Sequence, residues 1–410
     1  MPTTVVSFLG TGQKQNPQDP RSGYRTTTYR FVRPGGGEFL HTTSLFGTAL
    51  IRFLRESGTT IDRWIVLGTS ASLWSELNQV LSDPDNVIEQ YCQIDDRIAT
   101  KNVDEESLRE WQCTLNTFAS PLELRLCLTG EALAAESQQQ IAKALFENIP
   151  RGNDVVFDIS HGFRHQPVIT AFLVSLMRWT HAICSVRFFS GVFEARQGET
   201  TPALELPICQ ELVNATEAAA TLAITGNYAP VARCLGLDGE LAWFLENTNQ
   251  LGDARRHVQE LRDSTKENPD VVASQLAALL RERLEWAQGS RFADRVLQSA
   301  RTALERRDYF RAIVLGHEAL LIRAAQTLYP NDDPMNYQTR QSAEDALLDR
   351  LVGADRELFS DLKHMRNACA HGTRADRASV QRVLRRPQEA GCLLQGVFAL
   401  VDRLPHLLSS

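Results

Sequence analysis

Arg366-Asn367-Ala368-Cys369-Ala370-His371 puts a guanidinium, an amide and an imidazole within six positions, separated by small side chains. That set can cut RNA without a metal. An imidazole exchanges a proton with a 2′-hydroxyl or a leaving 5′-oxygen near neutral pH, which is the work open to His371. Arg366 can hold a phosphate and the charge that grows on its oxygens. Asn367 can orient either partner. In a helix running from Arg356, Asn367 and His371 share a face at i,i+4, and Arg366 points roughly 140° away from His371. One helix does not aim both at a single phosphate, whereas a second copy across a two-fold axis can. Gly372 stands where such a helix would end. The competing explanation is structural, with Arg366 and His371 capping carbonyls and pairing with Asp361 or Asp376.

At 410 residues the chain is too long for one ordinary core, and two or three domains are expected. Its 43% hydrophobic and 23% charged residues describe a soluble globular protein. No apolar run approaches the roughly 20 residues that span a bilayer, and the N-terminus lacks the basic start of a signal peptide. Eight cysteines fall without a C-x-x-C pair, which predicts a reducing cytoplasm and no structural zinc. The net charge of −7 is uneven: residues 281–410 carry 20 basic and 17 acidic groups, net +3. Arg374, Arg377, Arg382, Arg385 and Arg386 follow the opening motif. They form either a solvated helix face or a surface for RNA.

The elements that must position these groups fall into two textures. Val5–Leu9, Arg63–Leu67, Leu122–Leu128, Asp154–Ile159 and Cys184–Phe189 read as strands. Residues 21–37 read as an inserted β-hairpin without an assignable role. Thr42-Thr43-Ser44 offers an N-cap to a helix through Leu54, and helices follow over Glu131–Ile149 and Val168–Trp179, with Pro167 in the latter's first turn. Strands alternating with helices predict a doubly wound, Rossmann-like parallel sheet over residues 1–208. From a linker near 205–215 the chain turns all-α through 209–410. Helices are expected over 214–224, 241–261, 271–286, 291–307, 309–328, 342–351, 356–371 and 378–404.

Ligands of open α/β sheets bind at the carboxyl ends of the strands, where strand order reverses. Three such ends carry small or hydroxyl residues: Gly10-Thr11-Gly12, Gly68-Thr69-Ser70 and Ser160-His161-Gly162. Short side chains let backbone N–H groups approach a phosphate, and Arg164 can add a bidentate contact. The same residues also serve as plain βα turns and caps. Neither a dinucleotide fingerprint nor a phosphate-loop motif is present. His161 and His165 belong to no metal triad, and His317 beside Glu318 reads as core or as support for the site.

Phe8-Leu-Gly-Thr-Gly12, Asp158-Ile-Ser-His-Gly-Phe-Arg164 and Arg366-Asn-Ala-Cys-Ala-His371 together resemble the CARF–HEPN ribonucleases of type III CRISPR systems, the Csx/Csm-type ancillary nucleases. The resemblance spans essentially the whole chain. It implies a CARF-like domain that binds cyclic oligoadenylate across a homodimer axis, cyclic tetra-adenylate first and cyclic hexa-adenylate as the alternative. It also implies a paired HEPN-like domain that cuts single-stranded RNA without a metal or other cofactor. Arg366, Asn367 and His371 match the catalytic set. Gly10, Thr11, Gly12, Thr69, Ser70, Ser160, His161, Gly162 and Arg164 match the ligand-facing loops. Attack of a 2′-hydroxyl on its own phosphodiester would leave 2′,3′-cyclic phosphate ends. Two alternatives stay open: a catalytically silent sensor whose helical half binds RNA or a protein, and a CARF domain that also degrades its ring.

Overall fold

β1 (Thr3–Leu9) is apolar on both faces: Val5 and Leu9 enter one core, Val6 and Phe8 the other. A strand without a polar face belongs at the centre of a sheet covered on both sides. It lies between β4 (Ile61–Gly68) and β6 (Asp154–Asp158), parallel to both. β5 (Glu123–Leu128) extends the parallel set beyond β4, and β7 (Val186–Gly191) extends it beyond β6. The helices α1 (Phe46–Glu56), α2 (Ile88–Ala99) and α3 (Glu105–Phe118) cover one face. On the other face lie α4 (Ala135–Asn148) and α5 (His165–Thr180), with Pro167 in its first turn as expected.

The computed structural model describes all residues except 1, 13, 17, 20, 21, 34, 120, 131–134, 266–269 and 410. The chain divides into two compact units, Met1–Val213 and Asn214–Ser410. The expected start of the fourth helix at Glu131 lies outside the described residues.

The expected parallel sheet is the five-strand core of a larger mixed one, in the order β3-β2-β8-β7-β6-β1-β4-β5. The predicted hairpin is β2 (Thr27–Val32) paired antiparallel with β3 (Glu38–Thr43). β8 (Thr200–Glu205), absent from the sequence expectation, runs antiparallel to β7 and parallel to β2. Its sequence, Thr-Thr-Pro-Ala-Leu-Glu, carries a proline and only two apolar residues besides, so period-two alternation alone does not reveal it. The Thr42–Ser44 cap does not form. Thr43 is a strand residue that accepts from the Leu45 N–H, and the Ser44 hydroxyl donates to Glu76 instead.

In the second unit, α6 (Pro207–Thr225) begins inside the stretch expected to be a linker. α7 (Ala229–Cys234) was not anticipated. The helix expected over 241–261 is two, α8 (Glu240–Asn247) and α9 (Leu251–Ser264). Asn249 between them adopts φ 62, which ends regular helix. α10 (Val271–Arg283), α11 (Phe292–Glu305), α12 (Tyr309–Leu328), α13 (Tyr337–Arg350) and α14 (Gly353–His371) follow. The last expected helix is also split, into α15 (Ala378–Val383) and α16 (Pro387–Ser409), with Pro387 opening the second.

α12 is the central helix. It packs against α11, α13, α14 and α16, and Asp308 caps its N-terminus by accepting from the Arg311 N–H. No helix among the described residues is long and apolar enough to cross a membrane.

Candidate functional site

Connections from β1 lead to β4 and β5 on one side, and those from β6 lead to β7 on the other. Strand order therefore reverses between β1 and β6, and a crevice opens at their carboxyl ends. The chain leaves β1 through Gly10 and β6 through Gly162, and these two backbones touch. A Cβ on Gly10 would lie 3.1 Å from the Gly162 Cα and N. Gly162 has φ +92, and its own Cβ would strike the Phe8 Cβ at 2.8 Å and Gln166 Oε1 at 2.4 Å. Glycine is required there by both conformation and space.

Beside this contact lies a cavity of about 470 Å³. Gly10, Thr11, Gly12, Thr69, Ser160, His161 and Gly162 line it, so the structure brings seven of the nine expected ligand-facing residues together. Ser70 and Arg164 are not among its lining residues, and Arg164 is exposed just before α5. The α5 N-terminus follows the Gly162 loop directly, bringing the positive end of the helix dipole.

Tyr24, from the polar segment after β1, forms one wall. Its hydroxyl donates to the Gly10 carbonyl at 2.5 Å and its ring stacks on His161 with centroids 4.8 Å apart. Behind it, Glu76 accepts from the Tyr24 N–H at 3.1 Å, from the Ser44 hydroxyl and from Gln79 Nε2 at 2.6 Å. Asp158 at the end of β6 is fully buried, and its Oδ1 accepts from the Ser160 N–H at 2.9 Å. Burial pushes the Asp158 carboxyl up, against the pull of His161 and the Ser160 N–H. Burial likewise pushes His161 down, outweighing Asp158. Both shifts favour the neutral forms, so His161 offers a neutral ring on a buried floor.

Arg25, Lys101, Phe193 and Glu194 also line it. A second cavity of about 1000 Å³ shares Thr11, Gly12 and Arg25 and adds Lys14, Arg196 and Thr26–Thr28. Sequence reasoning found none of these, nor Tyr24. The only signal was the run of hydroxyl and basic residues from Tyr24 to Thr28, which reads equally as a strand.

In the second unit, α14 ends as its sequence predicts, with Gly372 at φ +63 as the C-cap. His371 in the last turn is exposed, whereas Arg366 and Asn367 are half-buried. Arg366 Nη1 donates to Asn367 Oδ1 at 2.9 Å. Asn367 thus holds the arginine rather than the histidine. Asp361 pairs with Arg377 at 3.2 Å and accepts from Ser379 at 3.0 Å, so it is committed to partners other than Arg366. Of the arginines after the motif, Arg382 and Arg386 both pair with Glu389, and Arg374 donates to Gln381. Arg385 is exposed, and its guanidinium makes no hydrogen bond or ion pair among the described residues.

His317 lies beneath this end of α14. It is 4% exposed, its ring stacks on Phe359 at 6.2 Å, and neither nitrogen finds a hydrogen bond among the described residues. Phe359 and Arg366 are seven residues apart and share a helix face. Burial first, then the Arg366 charge, push the His317 imidazole down to about 4, with Arg340 and Lys363 adding to Arg366 and Glu344 opposing them. The unfolded chain then binds a proton that the folded one refuses. Stability should be complete above about pH 6.5 and fall as pH drops toward 4, with a slope up to about 1.4 kcal/mol per pH unit. Melting curves of wild type and His317→Phe across that window check this: the variant should lose that part of the slope, and parallel profiles would refute it.

Among the described residues no group of three His, Cys, Asp or Glu side chains is placed to hold a metal ion, and all eight cysteines are free. No curated protein matches the chain. Residues 4–187 match the family model described as the CARF domain of the CRISPR system endoribonuclease Csx1. The match lies within the first unit, and the second unit is all-α.

Proposed function

We propose that the chain is a cyclic oligoadenylate-activated endoribonuclease that cuts single-stranded RNA in type III CRISPR antiviral defence. The observation that carries this is an exposed His371 one turn beyond Arg366-Asn367, in a chain whose other unit matches the CARF-domain model and has a polar cavity at its switch point. The ring, cyclic tetra-adenylate or hexa-adenylate, occupies the crevice around Gly10–Gly12, Thr69 and Ser160–Gly162, with Ser70 and Arg164 at its margin. His371 moves the proton of the attacking 2′-hydroxyl, and Arg366 neutralises the phosphorane-like charge. No step in this scheme calls for a metal or cofactor. Cleavage in EDTA should therefore leave 2′,3′-cyclic phosphate and 5′-hydroxyl ends. Products ending in 3′-hydroxyl groups would sink the mechanism.

Activity requires a homodimer. Arg366 and His371 project from different sides of α14, so one copy supplies half a site. A symmetric ring likewise needs two half-sites. Val168, Phe172, Leu176 and Trp179 form a stripe along α5 that is 57, 78, 52 and 71% exposed. Four large apolar groups on one face, next to the ring loop, suit a second copy of this chain. A Phe172→Asp, Trp179→Asp protein should run as a monomer in light scattering and cut RNA at least about tenfold more slowly. A double variant that stays dimeric places the interface elsewhere. The same geometry favours one second reading, a silent sensor in which Arg366 is a half-buried anchor beside His317. His371→Ala separates the two, as only the nuclease depends on that imidazole.

A further inference from the structure

Glu246 on α8 is 1% exposed and serves three donors. Arg283 of α10 donates to its Oε1 at 2.5 Å, Arg311 of α12 to the same oxygen at 3.1 Å, and Trp286 Nε1 to Oε2 at 3.2 Å. Arg311 also holds the Glu246 carbonyl at 2.9 Å. One carboxylate thus answers two largely buried guanidiniums, a single negative charge against two positive ones.

A third arginine stands beside them. Arg306, the residue that closes α11, has a guanidinium with no hydrogen bond or ion pair among the described residues. Burial first, then the Arg283 charge, push it down to about 10. Gly226 makes room for it. That residue has φ +77, and a Cβ there would lie 2.3 Å from Arg306 Nη1 and 3.6 Å from Arg283 Nη2. The two guanidiniums are therefore separated by no more than the sum of those distances. Arg283 and Arg306 both line a cavity of about 740 Å³ with Trp286 in its wall.

Carboxylates also border this cavity, and the pull of Glu246 and Glu305 on Arg306 is outweighed by burial and by Arg283. Glu282, Glu285 and Glu305 are exposed, where solvent and salt screen them, and Asp294 is already engaged by Arg323. Three guanidiniums against Glu246 leave two positive charges in a partly dehydrated place. Such an excess is costly to keep unless an anion answers it.

We propose that Arg306 and Arg283 form a phosphate site on the C-terminal unit, taking the dianionic phosphate of a nucleoside monophosphate or of a nucleic-acid end. A phosphate dianion supplies the two missing charges. Its tetrahedral oxygens accept from two guanidiniums at once with N–H···O bonds of about 2.8 Å. The cavity leaves space for a nucleoside beside Trp286. This site shares no residue with the proposed ring crevice or with Arg366–His371, and its test involves no RNA cleavage.

Calorimetry on the full-length protein with inorganic phosphate, at matched ionic strength in chloride, measures the site. Wild type should bind, and Arg306→Gln should bind at least about tenfold more weakly. Arg306→Lys, which keeps the charge without the fork, should fall between them. Adenosine monophosphate is compared with a 5′-phosphorylated and a 5′-hydroxyl oligodeoxynucleotide to identify the source. Tighter binding of the first marks a nucleotide site, and a preference for the phosphorylated oligonucleotide marks a nucleic-acid end. Absence of phosphate binding in wild type overturns the proposal whatever the variants do. Equal binding by wild type and Arg306→Gln overturns it too, because the anion then sits elsewhere.

Discussion

Replacing His371 by alanine is expected to lower ring-activated RNA cleavage by about 10²–10⁴-fold while leaving the melting temperature and ring affinity unchanged. The magnitude is that of a general acid–base group whose loss leaves phosphate binding in place. The unchanged stability follows from its position: His371 is exposed in the last turn of α14, and the helix ends through the Gly372 backbone rather than through the imidazole. Arg366→Ala should also abolish cutting, but it is not silent structurally. It removes the cation beside His317 and leaves the Asn367 amide without its donor. The contrast between a silent His371 and a coupled Arg366 is measurable by pairing initial rates with melting curves. A His371→Ala protein that cuts at the wild-type rate returns the motif to a structural role.

The second large effect is expected at Gly162. An alanine there must adopt φ +92 and push its Cβ against Phe8 and Gln166, in the loop that joins β6 to α5. Strained positive-φ positions cost of order 1–3 kcal/mol each, and relief comes from moving the loop away from Gly10. Because Gly10 and Gly162 meet at the crevice, that movement widens the floor of the proposed ring site. Ring affinity should fall at least about tenfold, with RNA cutting recovering at saturating ring. Equilibrium binding of labelled ring and the activation midpoint check it together. Unchanged affinity would mean that the ring does not lie over this contact.

Much of the scaffold was legible because it is local. β1 declares itself by β-branched and aromatic residues on both faces, and α12 matches its expected limits, Tyr309–Leu328. Gly372 marks the end of α14 by a conformation that few other residues adopt. What could not be read depends on distant partners. Tyr24 reaches the crevice because its hydroxyl returns to Gly10 across a polar segment with no periodicity. β2 pairs with β8 through Thr28 and Thr200, a match that no local pattern encodes. The breaks at Asn249 and Pro387 fall inside apolar periodicity that runs on across them, so the stripe hides two helices as one. At α14, helical geometry alone indicated that Arg366 and His371 diverge, and the half-buried arginine beside an exposed histidine agrees with it.

Coupling between the ring and the cut requires the ring to favour the cutting-competent arrangement, since a ligand shifts an equilibrium only by its differential affinity. The most direct measurement is cleavage of labelled single-stranded RNA by the purified protein in EDTA, with no ring, with cyclic tetra-adenylate and with cyclic hexa-adenylate. The account predicts a rate near background without ring and a large increase with one of the two. Equal rates in all three arms, or no cleavage in any of them, would contradict it.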